Sequence, residues 1–180
     1  ELARDRRIMV EAAGTFATFL TDSGLELQQT EVEIEGQGLG RKIFGIPDLV
    51  LGPRPVIVDA KWGGLNYRRE ALAKGTASQL AFYTHILAQQ EGYKKAAMAA
   101  VGYFVLSEAR LVTTDAGLGG SAEHQAGPDP AETWLGLEKA FDARKAELAS
   151  GEVLATALSE HTPIARRSKE SKDRVRDDGA

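Results

Sequence analysis

Apolar residues recur at helical spacing between about Arg4 and Ser23, where Ile8, Met9, Ala12, Ala13, Phe16, Phe19 and Leu20 form a stripe and Gly24 offers a stop. The period then changes. From Thr30 to Glu35, Val32 and Ile34 alternate with Glu31, Glu33 and Glu35, which predicts a half-buried strand. Turn residues GQGLG (36–40) lead into a second predicted strand, RKIFGIPDLVL (41–51). A turn around GPRP (52–55) leads into a third, VIVDAK (56–61), giving a helix followed by an antiparallel meander. Residues 65–75 are less regular. Leu80, Ala81, Ile86 and Leu87 predict a helix from about Thr76 to Gln90, with Thr76 or Ser78 as its cap.

The run from Ala97 to Leu106 reads as a strand, and SEAR (107–110) turns the chain into LVTT (111–114). Residues 115–127, rich in Gly, Ala and Ser, read as a mobile loop. Asp129-Pro130-Ala131-Glu132 is a helix start, with a cap, a first-turn proline and an acid three residues on; that helix runs to about Ser150. The last stretch, ARRSKESKDRVRDDGA (165–180), carries almost no apolar residues. The order α–β–β–β–α–β–(β)–α predicts one α/β (α+β) domain over residues 1–160, a small central mixed sheet flanked by helices. Residues 161–180 are expected to form a disordered polar tail or linker.

Composition narrows the chemistry. The 180 residues contain no cysteine and three scattered histidines, His85, His124 and His161. A thiolate metal site is therefore excluded and a histidine-rich one is not expected, so any metal is expected to be hard and bound by oxygen. The lack of cysteine fits a reducing cytoplasm, the expected location. No apolar run reaches membrane-spanning length, so no membrane partner is expected. The opening ELARDRR has neither methionine nor an apolar secretory segment, which suggests an excised piece of a longer protein. A net charge of −4 does not suggest a nucleic-acid binder. Its distribution qualifies this, because Lys61, Arg68, Arg69 and Lys74 face the single acid Glu70 within one short stretch. That stretch reads either as a locally positive groove or as a solvated surface.

The informative stretch is GIPDLVLGPRPVIVDAKWGG (45–64). Alternation along a strand sends Ile57, Asp59 and Lys61 to one face and Val56, Val58 and Ala60 to the other. A turn centred between Pro53 and Arg54 places Asp48 directly opposite Asp59, with Cβ atoms roughly 5 Å apart. Two carboxylates so close repel unless a cation lies between them, and a divalent ion does this better than Lys61 alone. Mg²⁺ prefers one or two carboxylates, retains waters and accepts a phosphate oxygen, which suits phosphodiester hydrolysis. Lys61 can then orient or deprotonate a water, or stabilise charge at phosphorus. The plainer reading is a surface hairpin with an Asp–Lys ion pair.

Here the sequence resembles the PD-(D/E)XK nuclease superfamily, in the branch typified by the nuclease domain of RecB. Pro47-Asp48 matches the family's PD, and Asp59-Ala60-Lys61 its (D/E)-x-K. Gln79 and Tyr83 in GTASQLAFYTHIL (75–87) match the glutamine and tyrosine of the branch's helix, and AVGYFVLSEARLV (100–112) is similar to the strand that follows. The resemblance covers residues 40–112 well and implies a restriction-endonuclease-like αβββαβ core. It implies Asp48 and Asp59 as ligands of Mg²⁺ (or Mn²⁺), the Ala60 carbonyl as a third ligand, and Lys61 as catalytic. It gives Gln79 and Tyr83 a part in positioning the phosphate or the lysine. Arg68, Arg69 and Lys74 become candidates for contact with the nucleic acid. The branch often carries a histidine on the first helix, which this chain lacks; Glu11 is the substitute candidate, against a plain exposed glutamate.

The implied activity is a metal-dependent deoxyribonuclease, exonuclease-like, acting on single-stranded DNA or duplex ends. It would be a repair or recombination module fused or bound to a helicase. The alternatives are a silent domain of the same fold that binds DNA or a partner, and a phosphodiesterase for RNA or a nucleotide. Trp62 either stacks on a base or closes the end of the sheet, and packing is the favoured expectation. Trp134 is expected in the core, and His85 on the surface or half-packed.

Overall fold

The computed structural model describes residues 2–94 and 100–151. Helix α1 (Leu2–Ser23) leads into β1 (Glu26–Thr30), β2 (Ile34–Gly38), β3 (Arg41–Gly45), β4 (Leu49–Gly52) and β5 (Val56–Lys61). Helices α2 (Leu65–Ala73) and α3 (Ser78–Leu87) precede β6 (Ala100–Val105), a 3₁₀ turn (Leu106–Glu108), β7 (Arg110–Thr113), β8 (Glu123–His124) and α4 (Pro130–Ser150). Six strands form one mixed sheet in the order β1-β4-β5-β6-β7-β8, while β2 and β3 pair apart from it as a hairpin. Removing that hairpin and α2 leaves α1–β1–β4–β5–α3–β6, an αβββαβ core. The mixed sheet between helices agrees with the expected fold class.

Strand alternation divides the core into two. Leu51, Val56, Val58, Phe104 and Leu111 face α1, packing with Ala12 and Phe19. Val50, Ile57, Val101, Tyr103 and Val112 face α3, packing with Leu80, Tyr83, Ile86 and Leu87, with Leu72 of α2, and with Trp134 of α4. Each fully buried aliphatic or aromatic side chain contributes roughly 1.5–3 kcal/mol, so the sheet can carry a few polar groups at its ends. The β2–β3 hairpin docks on α3 and not on the sheet. Gln89 Oε1 accepts from the Gln37 N–H at 2.8 Å, and His85 Nε2 donates to the Gln37 carbonyl at 2.8 Å. His85 also stacks on Trp134, with centroids 3.9 Å apart.

Several expectations are corrected. The strand predicted over Thr30–Glu35 does not exist as one piece: β1 stops at Thr30, opposite Leu49, and Glu31 adopts φ 49°. The Glu31 N–H then bonds the Asp48 carbonyl at 3.1 Å, and the chain leaves the sheet to make the hairpin. The single strand predicted over RKIFGIPDLVL is likewise two, β3 and β4, divided at Ile46–Asp48. Residues 65–73 are helical, and α3 begins after Ala77 with no side-chain cap from Thr76 or Ser78. Residues 115–127 are held rather than loose: Leu118 is buried against the α1 side, and β8 pairs parallel to β7. The predicted tail, 161–180, falls outside the described residues.

The start of α4 is as the sequence predicts. Asp129 Oδ1 accepts from the Glu132 N–H at 2.8 Å, and Glu132 Oε2 accepts from the Asp129 N–H at 3.1 Å. Replacing Asp129 with Ala is expected to cost about 1 kcal/mol, read as a lower melting temperature. No loss of stability would mean that the packing of Trp134 and Pro130 alone sets this end of the helix.

Candidate active site

The β4–β5 register sets the site. Leu49 pairs with Val58, Val50 with Ile57 and Leu51 with Val56, so the next pair outward is Asp48 with Asp59. Asp48 Oδ2 accepts a hydrogen bond from the Ala60 N–H at 2.7 Å, which fixes the carboxylate against the end of β5. Ala60 contributes only backbone here, since its side chain points away from the face carrying Asp59 and Lys61. Buried Pro47 ends the irregular stretch that carries Asp48 back into the sheet.

Asp59 is fully buried, which does not fit the plainer reading of a surface Asp–Lys ion pair. Lys61 Nζ lies 2.6 Å from Asp59 Oδ2, and the lysine side chain is 26% exposed. Even so, neither Asp59 oxygen has a well-aligned hydrogen-bond partner among the described residues. Burial raises the Asp59 pKa above its ordinary 3.8; the Lys61 ammonium opposes this, the Asp48 carboxylate adds to it, and the Arg68 charge opposes it weakly. A buried carboxylate without hydrogen bonds costs free energy unless a cation compensates it.

The donor set fits a hard divalent cation. It comprises two carboxylates on paired strands, one of them buried and lacking aligned donors, beside backbone oxygen and a single ammonium. Asp48 and Asp59 would hold such an ion, which would supply charge to polarise a phosphate and to acidify water. The structure does not gather Glu11 into this group. Glu11 is exposed on α1, whose buried residues pack on the opposite face of the sheet. Among the described residues no three acids or histidines converge as a ligand cluster.

Gln79 and Tyr83 meet on α3, where Gln79 Nε2 donates to the Tyr83 hydroxyl at 2.9 Å. Tyr83 is buried on the same side of the sheet as Asp59, and its ring closes on Gly45, where a Cβ would stand 2.7 Å from Cε1. The pair thus packs against the segment leading to Asp48. The three basic residues of this region part company. Arg69 is a tether: its Nε and Nη2 donate to Glu123 Oε1 and Oε2 at 2.6 and 2.7 Å, joining α2 to β8, and its Nη1 donates to Asn66. Lys74 pairs with Glu70 one turn away on the exposed face of α2. Arg68 has no such partner among the described residues. Arg69→Gln is accordingly expected to lower stability while cleavage persists; cleavage lost at unchanged stability would return Arg69 to the substrate.

Trp62 corrects the expectation of packing, being 50% exposed directly after Lys61. Tyr103 escaped the sequence reading because only the parallel β5–β6 register, Asp59 with Tyr103, places it beside the carboxylate. Burial, then the Asp59 charge, pushes its hydroxyl up to about 12, so it remains a neutral phenol at the site.

No curated protein and no solved structure matches the chain. A model of the PD-(D/E)XK nuclease superfamily matches residues 1–162, nearly the whole sequence. Among the described residues no helix is long and apolar enough to cross a membrane. With the PD and D-x-K residues joined at one strand end and the match spanning the fold, the chain belongs to the PD-(D/E)XK nuclease superfamily.

Proposed function

We propose that this domain hydrolyses DNA phosphodiester bonds with Mg²⁺ or Mn²⁺ held by Asp48 and Asp59. The observation that carries the reading is the buried Asp59 carboxylate beside Asp48, ion-paired among the described residues with Lys61 alone and without a well-aligned hydrogen bond, an arrangement that a divalent cation between the two acids would stabilise. All three motif residues are present, which argues for an active nuclease over a silent binding domain. Lys61 is placed to orient a water or to stabilise charge building at phosphorus. The Gln79–Tyr83 hydrogen bond supports the likeness to the RecB branch, and with it exonuclease-like action in a repair or recombination assembly containing a helicase.

The test is incubation with end-labelled single-stranded DNA, duplex DNA and RNA, each with Mg²⁺, Mn²⁺ or EDTA. Metal-dependent cleavage of DNA is expected. Cleavage of RNA alone would transfer the activity to an RNA phosphodiesterase. No cleavage by a folded domain that binds DNA would favour the silent reading.

A further inference from the structure

Arg68 stands out among the charged groups of this molecule. Its side chain makes no hydrogen bond or ion pair among the described residues, and its Nε is buried without a partner. Neighbouring Arg69, by contrast, has an acid partner within reach of α2, since Glu123 of β8 engages it bidentately. The Arg68 guanidinium instead lies over two rings. Its Cζ lies 5.3 Å from the centre of Tyr103 and 4.9 Å from that of Tyr67. Tyr103 is the register partner of Asp59, so the guanidinium sits over the strand beside the catalytic carboxylate. Tyr67 is 64% exposed, so the succession of neighbours Asp59, Tyr103, Arg68 and Tyr67 leads from the buried acid out to solvent.

A stacked guanidinium is fixed in direction, retains its charge, and presents N–H donors to an anion in its plane. The Arg68 Nε is sealed inside the fold, whereas the two terminal nitrogens are not and make no hydrogen bond among the described residues, so they are free to take an oxyanion. The open face of Tyr67 offers a second contact. A base can lie on it only when it has left a duplex stack, because paired bases present edges and not faces.

Resting on the nuclease reading above, we infer that Arg68 anchors a backbone phosphate of the substrate and that Tyr67 stacks on a base of an unpaired strand. The stack thereby makes the site selective for single-stranded nucleic acid. Arg68 sets where the strand lies and does no bond chemistry.

The test uses the full chain as wild type, Arg68→Gln, Arg68→Lys and Tyr67→Ala, each checked for fold by circular dichroism. Binding of a short fluorescent single-stranded DNA and of its duplex is followed by anisotropy in EDTA, and cleavage by steady-state kinetics in Mg²⁺. Arg68→Gln should raise Kd and KM for the single strand about tenfold, with a smaller effect on kcat. Arg68→Lys, which keeps charge but loses the planar fork, should recover only part of that loss. Tyr67→Ala should weaken the single strand about tenfold and leave the duplex unchanged. Unaltered single-strand binding in folded Arg68→Gln and Arg68→Lys overturns the anchor, as does a fall in kcat alone. Equal weakening of both DNA forms by Tyr67→Ala overturns the selectivity. The two readings fail separately: a wild type that cuts but ignores Arg68 loses only this inference. A wild type that binds single strands through Arg68 yet cuts nothing in any metal loses only the nuclease assignment.

Discussion

Lys61→Ala is expected to lower kcat for DNA cleavage by about 10²–10⁴-fold, the range a positioned proton-transfer or charge-stabilising group contributes. The side chain is 26% exposed and lies outside both core clusters, so the variant should fold. It also removes the ammonium nearest the buried Asp59 carboxylate, whose pKa that charge holds down. Two effects are thus separable in one variant: loss of chemistry at every pH, and a further rise of the Asp59 pKa. Asp59→Ala should remove cleavage as completely, and Asp48→Asn should weaken metal binding as well, because it alters a ligand that the Ala60 N–H orients. Cleavage retained in all three, measured on labelled DNA with saturating Mg²⁺, would end the assignment of this strand terminus as the active centre.

The juxtaposition of Asp48, Asp59 and Lys61 was legible because β4 and β5 are joined by a turn whose centre fixes the register, and register fixes faces. Counting outward from the Pro53–Arg54 midpoint predicts Asp48 opposite Asp59, and the ladder Leu49–Val58 delivers it. The capping box of α4 was legible for the same reason, as its partners are three residues apart. The failures have a common cause in long-range pairing. Strand β1, ELQQT, carries no apolar alternation, since it is an edge strand with a bulge between Leu27 and Gln29, and only its pairing with β4 defines it. The Thr30–Glu35 alternation was real, with Ile34 buried, but Ile34 is buried under α3 in the hairpin and not in the main sheet. Helix α2 buries only Ala71 and Leu72 and starts at a glycine, so it shows neither stripe nor cap. The role of Arg69 depends on Glu123, 54 residues away, and no local pattern announces it.

Asp59→Asn should make the metal-free domain more stable at neutral pH, by roughly 1–2 kcal/mol, while abolishing cleavage. The sign follows from the direction of its pKa. Burial raises the folded-state value above 3.8, so over the interval between 3.8 and that raised value the folded chain holds a proton that the unfolded chain has released. Stability from this group is therefore fully present below 3.8 and is lost as pH rises through the folded-state value. Above it the wild type keeps an ion in an apolar strand end, which asparagine does not. The gain in melting temperature of Asp59→Asn over wild type, measured in EDTA, should be largest near neutrality and shrink towards pH about 4. Added Mg²⁺ should reverse the order, since it binds the ionised wild type and raises its stability by about 2.7 kcal/mol at a hundredfold excess over Kd. The variant, lacking the buried charge, should respond far less. A variant less stable than wild type in EDTA at neutral pH would show that Lys61 already compensates Asp59 in full. Equal Mg²⁺ shifts in both proteins would place the metal elsewhere.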